Sequence, residues 1–340
     1  MTNAKSGRTG ARKPADVPGR LESKLRSGGF GVTFELSPPR GASLAALRRR
    51  ARQLHDVVDA VNVTDGQSAT ARMASWAGCI AVMQEDVEPV MQLVCRDRNR
   101  IALQADLLGA AGLGIPNVLL LTGDHMRFGD HPDAKGVFDM DSIQLIWTAR
   151  TMQEKGELLS GLPLSPAPHW FLGAVENPFA APQRFRAERL GKKVAAGARF
   201  FQTQYVFDVP AFARFIGQVR DLGFAERCYI LAGVGPIRSR RALTFLRDEI
   251  SGIHIPADLQ KRLLAVPEDR MEHEGIEAFV ETLQALREMK GVSGVHILAA
   301  GMEEQLPAVL RRAGIPTRIE TERASATLAT AAGERGGHAD

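Results

Sequence analysis

Between positions 30 and 315 the chain alternates short, β-branched apolar runs with stretches of helical spacing, at a period of about 30 residues. Eight strands are predicted: Gly31 to Leu36, Ala60 to Thr64, Pro89 to Cys95, Asn117 to Thr122, Trp170 to Glu176, Phe200 to Phe207, Cys228 to Gly233 and Gly294 to Ala299. Helical segments follow, among them Leu44 to His55, Asn99 to Ala111, Ser142 to Lys155, Pro182 to Ala196, Val209 to Leu222 and Ile276 to Met289. Near-continuous apolar strands need cover on both faces, and eight βα units in succession close most simply into an α/β fold of the (β/α)8, TIM-barrel type. An open doubly wound sheet is the alternative. It would want G-x-G-x-x-G after the first strand, where the chain instead has Ser37-Pro38-Pro39-Arg40-Gly41.

The barrel is expected at 29–315 as a single domain between disordered tails. Residues 1–28 carry Lys5, Arg8, Arg12, Lys13, Arg20, Lys24 and Arg26 among small and polar residues, which reads as a basic flexible arm. Residues 316–340, rich in Ala, Thr, Glu and Gly, read as a flexible tail. Two connections exceed what a barrel requires, 123–141 and about 253–272, and the first falls on the face that carries barrel chemistry.

Composition narrows the function classes. Hydrophobic residues at 44% and charged residues at 24% describe an ordinary globular protein with a sizeable core. The net charge of +4 is spread along the chain, so nucleic acid is not an expected partner. No apolar run reaches the length of a membrane span and the N-terminus is polar, so no membrane partner and a cytoplasmic location are expected. Cys79, Cys95 and Cys228 form no C-x-x-C pair, which argues against a disulfide framework or a zinc site. His125 and His131 with Asp124, Asp130 and Asp133 match no ligand spacing with a known mechanism, and no metal is expected. Motifs for serine hydrolysis, P-loop phosphoryl transfer and zincin chemistry are missing.

Barrel enzymes work at the carboxyl ends of their strands. Those positions hold Glu35, Thr64 with Asp65, Gln92 with Cys95, Asp124, Glu176 with Asn177, and Gln204. Glu35 lies between Phe34 and Leu36 before a Pro-Pro turn, as either a paired structural carboxylate or a proton donor raised in pKa by desolvation. Asp124 has the same two readings, and Gly123 before it lets backbone approach a ligand closely. Two such carboxylates suit an enzyme that protonates a leaving amine and then stabilises the resulting cation. Lys192 and Lys193 are read as a solvated helix face or a phosphate contact. One of Gln202 and Gln204 is expected to point into the barrel or its mouth.

The segments VTFELSPPR (32–40), VNVTDGQSA (61–69), LLLTGD (119–124) and RLGKKVAAGARFFQTQYVFD (189–208), in this order, resemble the methylenetetrahydrofolate reductase family. GDHMRFGDHPDAKGVFDMDSIQL and AVENPFAAPQRFRAERLGKK look most like its short bacterial, acetogen-like branch, which carries no regulatory domain. The resemblance implies a barrel holding a flavin that takes hydride from NADH or NADPH and passes it to 5,10-methylenetetrahydrofolate in ping-pong fashion, giving 5-methyltetrahydrofolate.

It assigns Glu35 as general acid for opening the imidazolidine ring and Asp124 as the anion beside flavin and pterin. Gln204 and Arg238 are implied as folate contacts. Thr64, Gln92, Thr122, Gly123, Asp124, Phe138, Asp141, Asn177, Arg189 and Lys193 are implied as the flavin shell. Several of these differ from the family's common residues: Gln92 and Asn177 replace His, Thr122 replaces Arg, Phe138 replaces Tyr, and Arg238 replaces an aromatic. FAD is the expected cofactor, with FMN second and flavin-free hydride transfer third. Alternatives are the same site run in the oxidising direction, or a folate or flavin binder without turnover. A homo-oligomer is compatible with the sequence.

Overall fold

The computed structural model describes residues 18–250 and 252–336. Strands β1 (Gly31–Leu36), β2 (Ala60–Val63), β3 (Pro89–Val94), β4 (Asn117–Leu121), β5 (Phe171–Glu176), β6 (Phe200–Tyr205), β7 (Tyr229–Val234) and β8 (Gly294–Ile297) pair in chain order, all parallel, and β8 closes on β1. The fold is the expected (β/α)8 barrel, with each strand within two residues of its expected bounds.

Helix α1 (Arg20–Arg26) precedes the barrel; α2 (Ala45–Leu54), α3 (Ser75–Met83), α4 (Arg100–Gly112), α5 (Ser142–Lys155), α6 (Arg186–Ala196) and α7 (Val209–Asp221) follow β1 to β6. Helices α8 (Arg240–Asp248), α9 (Ala257–Ala265) and α10 (Met271–Arg287) fill the span between β7 and β8, and α11 (Leu306–Arg312) and α12 (Arg318–Gly336) follow β8. The connection expected at about 253–272 is therefore largely helical. No helix among the described residues is long and apolar enough to cross a membrane.

Strand periodicity of two separates the two faces of the sheet. Phe34, Leu36, Val61, Val63, Leu93, Val118 and Leu120 belong to the large core between strands and helices. Ala60, Val90, Leu119, Phe171, Phe200 and Leu231 form a separate cluster inside the barrel. Phe171 and Phe200 stack there with ring centroids 4.8 Å apart, and a side chain on Gly173 would run into the Phe200 ring.

Leu21 and Leu25 of α1 close this inner cluster at the amino ends of the strands. The Glu88 carboxylate, at the start of β3, accepts from the Leu21 amide at 3.0 Å, from the Arg20 amide and from Asn117 Nδ2 at 2.8 Å. It thus caps a helix start, where an anion is favoured. The expected basic arm is corrected here. Residues 1–17 lie outside the described residues, but 20–26 are an ordered plug, because two leucines at i and i+4 have an apolar barrel floor to cover. The expected C-terminal tail differs likewise. Arg318, at the start of α12, is buried and donates to the His55 carbonyl at 2.7 Å and to Asp56 at 3.0 Å. Residues 337–340 lie outside the described residues.

Candidate active site

Inward positions at the carboxyl ends of β1, β2, β3, β6 and β8 carry Glu35, Asn62, Gln92, Gln202 and His296, in contrast to the apolar floor. Glu35 leaves the end of β1 with its side chain 17% exposed. Its Oε1 accepts from Gln67 Nε2 at 2.9 Å, and its Oε2 from Gln92 Nε2 at 3.4 Å. His296 Nε2, from β8, stands 3.7 Å from the same Oε2. Tyr205 is also in electrostatic range: burial pushes its phenol up, and the Glu35 charge adds to the effect.

Asp124 follows β4 through Thr122 and Gly123, the latter at φ +93. Its Oδ2 accepts from the Ser68 amide at 3.0 Å. Ser68 and Ala69, both at φ 55, occupy the left-handed region that non-glycine residues rarely adopt. This turn presents the Gln67 side chain to one carboxylate and the Ser68 amide to the other. The loop after β4 leans on it again through Asp130, which accepts from the Ala71 amide at 3.0 Å.

Beneath these loops Arg96 is 4% exposed. Its guanidinium donates to the Asp97 carboxylate at 2.8 and 2.7 Å, to the Asp124 carbonyl at 3.1 Å and to the Gly66 carbonyl at 3.1 Å. One side chain at the end of β3 therefore ties the loop after β2 to the loop after β4. The Asp97 hydrogen bonds hold the guanidinium in its charged form.

The other expected residues divide by what they touch. Thr64 is buried at the end of β2, and its Oγ1 has no hydrogen-bond partner. Thr122 Oγ1 accepts from the Ser142 amide at 3.3 Å, and Asn177 Oδ1 accepts from the Phe179 amide at 3.0 Å. Asp141 forms a capping box with Gln144 at the start of α5, so its carboxylate already serves the helix.

Lys193 does not stand free at the mouth. Its buried ammonium lies 2.9 Å from Glu176 Oε2 and also donates to the Val175 carbonyl at 2.5 Å. Burial lowers its pKa, and Glu176 opposes that. Arg189 is exposed on α6, and Phe138 is exposed in the loop after β4 at φ 41. Arg238 donates to the Ala300 carbonyl at 2.8 Å and faces Glu272 at 3.5 Å. His131 pairs with Asp130, and among the described residues no group of three His, Cys, Asp or Glu side chains is placed to hold a metal ion.

Of the two glutamines in β6, Gln202 points into the barrel, where its amide pairs with Asn62 at 2.6 and 2.9 Å. An irregularity between Gln202 and Tyr205 shifts the pairing with β7, and the Gln204 side chain folds onto the Tyr205 amide at 3.0 Å. Sequence reasoning missed Gln67, Arg96 and His296. His296 had a usable signal: it lies two positions after the inward Gly294, so the strand period aims it into the barrel.

The model of the family described as methylenetetrahydrofolate reductase matches residues 20–314. Methylenetetrahydrofolate reductase 2 of Schizosaccharomyces pombe is 23% identical over 309 residues, covering 88% of this chain and 47% of the relative. Methylenetetrahydrofolate reductase (NADH) 1 of Arabidopsis thaliana is 25% identical over 238 residues, covering 67% of this chain and 38% of the relative. The chain thus spans less than half the length of these relatives. A solved structure, an uncharacterized protein from Clostridium thermocellum that binds two copies of 5-methyl-5,6,7,8-tetrahydrofolic acid, superposes with a TM-score of 0.59 at 13% identity, covering 86% of this chain and 97% of that one. On the extent of the family match, the chain belongs to the methylenetetrahydrofolate reductase family.

Proposed function

We propose that the protein reduces 5,10-methylenetetrahydrofolate to 5-methyltetrahydrofolate with NADH or NADPH, using a bound flavin, FAD before FMN. The observation that carries this reading is the pair Glu35 and Asp124, held at one barrel mouth by consecutive residues, Gln67 and Ser68. A proton donor and a separate anion are what ring opening to an iminium cation needs. Glu35 gives its proton to the amine nitrogen that leaves the one-carbon unit. The Asp124 carboxylate faces the cation so formed, and a hydride to its carbon completes the methyl group. Gln67 and Gln92, both donors, fix the Glu35 carboxyl in place.

The chain fits a flavin in one specific respect: the Thr64 hydroxyl is buried without a partner, and such a group is stabilised by a ligand that brings one. Thr64, Gln92, the Thr122–Gly123 backbone and Asn177 would hold the ring and its polar chain, with the exposed Arg189 available to phosphate. Lys193 would act through Glu176 and Asn177 beside it. Flavin chemistry supplies hydride storage between the two substrates, which would use one site in turn. Gln204 and Arg238 are proposed as folate contacts at the opposite side of the mouth. The folate ligand named for the Clostridium thermocellum protein agrees with a folate-sized site on this fold.

The test is a visible absorption spectrum of the purified protein, followed anaerobically by NADH and then methylenetetrahydrofolate. Bleaching and then recovery of a flavin spectrum is expected. In Glu35→Gln the bleaching by NADH should persist and the recovery by folate should fail. A colourless protein that still turns over folate would overturn the flavin, and a colourless inactive one the whole reading.

A further inference from the structure

A chain of buried polar side chains crosses the barrel behind Glu35, and the reaction as described leaves it unused. Asn62 and Gln202 form a reciprocal amide pair, with Asn62 Nδ2 to Gln202 Oε1 at 2.6 Å and Gln202 Nε2 to Asn62 Oδ1 at 2.9 Å. Gln202 Nε2 also donates to Thr33 Oγ1 at 3.1 Å, and Thr33 Oγ1 lies 2.9 Å from His296 Nδ1. All four residues are at most 3% exposed and come from β1, β2, β6 and β8. Barrel interiors are ordinarily filled by branched apolar residues, and a polar layer is tolerated only when its members satisfy one another. Each of the four side chains is hydrogen-bonded to another of them, and the chain ends at His296, whose other nitrogen is 3.7 Å from Glu35 Oε2.

We propose that His296 is a positioning residue for Glu35, its tautomer set by this chain. The assignment deepens the folate-reductase reading and rests on it for the role of Glu35. Both protons of the Gln202 amide are engaged, one on Asn62 and one on Thr33. The Thr33 hydroxyl accepts that hydrogen bond and has its own proton to offer His296 Nδ1, 2.9 Å away, which is the direction the proposal takes. A neutral imidazole that accepts at one nitrogen carries its proton on the other. His296 therefore presents Nε2–H to the carboxyl of Glu35. The separation of 3.7 Å is charge range rather than a closed hydrogen bond, and such contacts shorten when substrate closes a site. With Gln67 on Oε1 and Gln92 and His296 on the Oε2 side, the carboxyl is held from both of its oxygens and its plane is fixed.

Nitrogen-15 NMR of the imidazole rings, with the His296 signals identified by their loss in His296→Gln, reads the tautomer without any turnover. The expected result is a neutral ring protonated at Nε2 alone, an Nε2 resonance that moves in Glu35→Gln, and loss of the fixed tautomer in Thr33→Val. A ring carrying a proton on Nδ1, neutral or charged, would overturn the proposal. Kinetics supply the second arm. Gln at 296 can return a donor to the Nε2 position, whereas Asn keeps only the Nδ1 position beside Thr33. His296→Asn should lower kcat for folate reduction about 10-fold with KM little changed, and His296→Gln should stay within about 3-fold of the parent. Equal losses in the two variants would reduce His296 to a packing residue. A parent protein that fails to reduce folate would sink the functional reading, while the NMR result would still decide the tautomer and its contact with Glu35.

Discussion

The Gln67 side chain donates to Glu35 Oε1 at 2.9 Å at the rim of the barrel mouth, linking the end of β1 to the turn that follows the neighbouring β2. The amide of the next residue, Ser68, is spent on Asp124, so one strained turn sets the spacing of both carboxylates. Gln67→Leu removes the first link and leaves the turn in place. Folate reduction should fall about 10-fold in kcat, the scale of one hydrogen bond, with stability held within about 0.5 kcal/mol because position 67 is exposed. Steady-state kinetics beside a denaturation curve separate the two. Unchanged kcat would detach Gln67 from the reaction.

Arg96 acts one layer down. It bonds to the carbonyls of Gly66 and Asp124 while Asp97 holds its guanidinium in plane, a geometry that needs a planar fork of donors. Lysine keeps the charge but can reach only part of this set. Arg96→Lys is expected to lower kcat/KM for folate 10-fold or more, roughly 1.4 kcal/mol or above, because both carboxylate loops lose their shared anchor. Parent-like kinetics would show that the loops are placed by their own contacts.

Thr64 gives a prediction whose two halves have opposite signs. Its Oγ1 is buried and unpartnered, so Thr64→Val relieves an unsatisfied group at nearly constant volume. The apoprotein should be as stable as the parent or more so, by up to about 1 kcal/mol, while flavin affinity falls. Titration of apoprotein with FAD, alongside urea unfolding, reads both quantities. Loss of stability with unchanged affinity would mean that the hydroxyl serves the fold.

Leu21 and Leu25 seal the barrel floor, and Leu21 is wholly buried. Leu21→Ala should cost about 2–5 kcal/mol in unfolding free energy, as expected for a leucine removed from a packed interior. Activity at low temperature should persist, since the floor lies at the opposite end of the strands from Glu35 and Asp124. A cost under about 0.5 kcal/mol would show α1 to be a dispensable cover.

The strands and α5 were legible in the chain because each rests on a local signal. Period-two and fully apolar runs mark the strands, while Asp141, Gln144 and a left-handed Gly156 mark the ends of α5. Helix α3, SWAGCIAVM, is apolar nearly all round and offers no face to read, and α1 looked like a basic tail because its two leucines acquire meaning only against a floor built by six strands. The site divides in the same way. Glu35 and Asp124 stand at strand ends, where sequence places them directly. Gln67, Arg96 and Thr33 act between neighbouring strands through partners 28 to 32 residues away or, for Thr33 and His296 on the paired strands β1 and β8, 263 residues away, and no local pattern encodes such pairs. Lys193 was visible as a cation, but its burial against Glu176 depends on two elements meeting.

Asp59, just before β2, couples stability to pH with an unusual sign. Its carboxylate is buried and accepts from the Val32 amide at 2.7 Å; burial raises its pKa above the ordinary 3.8, with Lys24 and Arg318 opposing and Glu88 reinforcing. A raised carboxylate pKa means that the folded state keeps a proton the unfolded state has already released. The stabilisation is complete below the unfolded value of 3.8 and is lost as pH rises through the folded value. Asp59→Asn keeps an acceptor for the Val32 amide and removes the titration. Relative to the parent, the variant should gain stability steadily between about pH 4 and the folded pKa and hold that gain above it. Urea unfolding across this range measures the difference directly. A variant destabilised by the same amount at every pH would show that the Val32 hydrogen bond, and not the buried charge, is what Asp59 contributes.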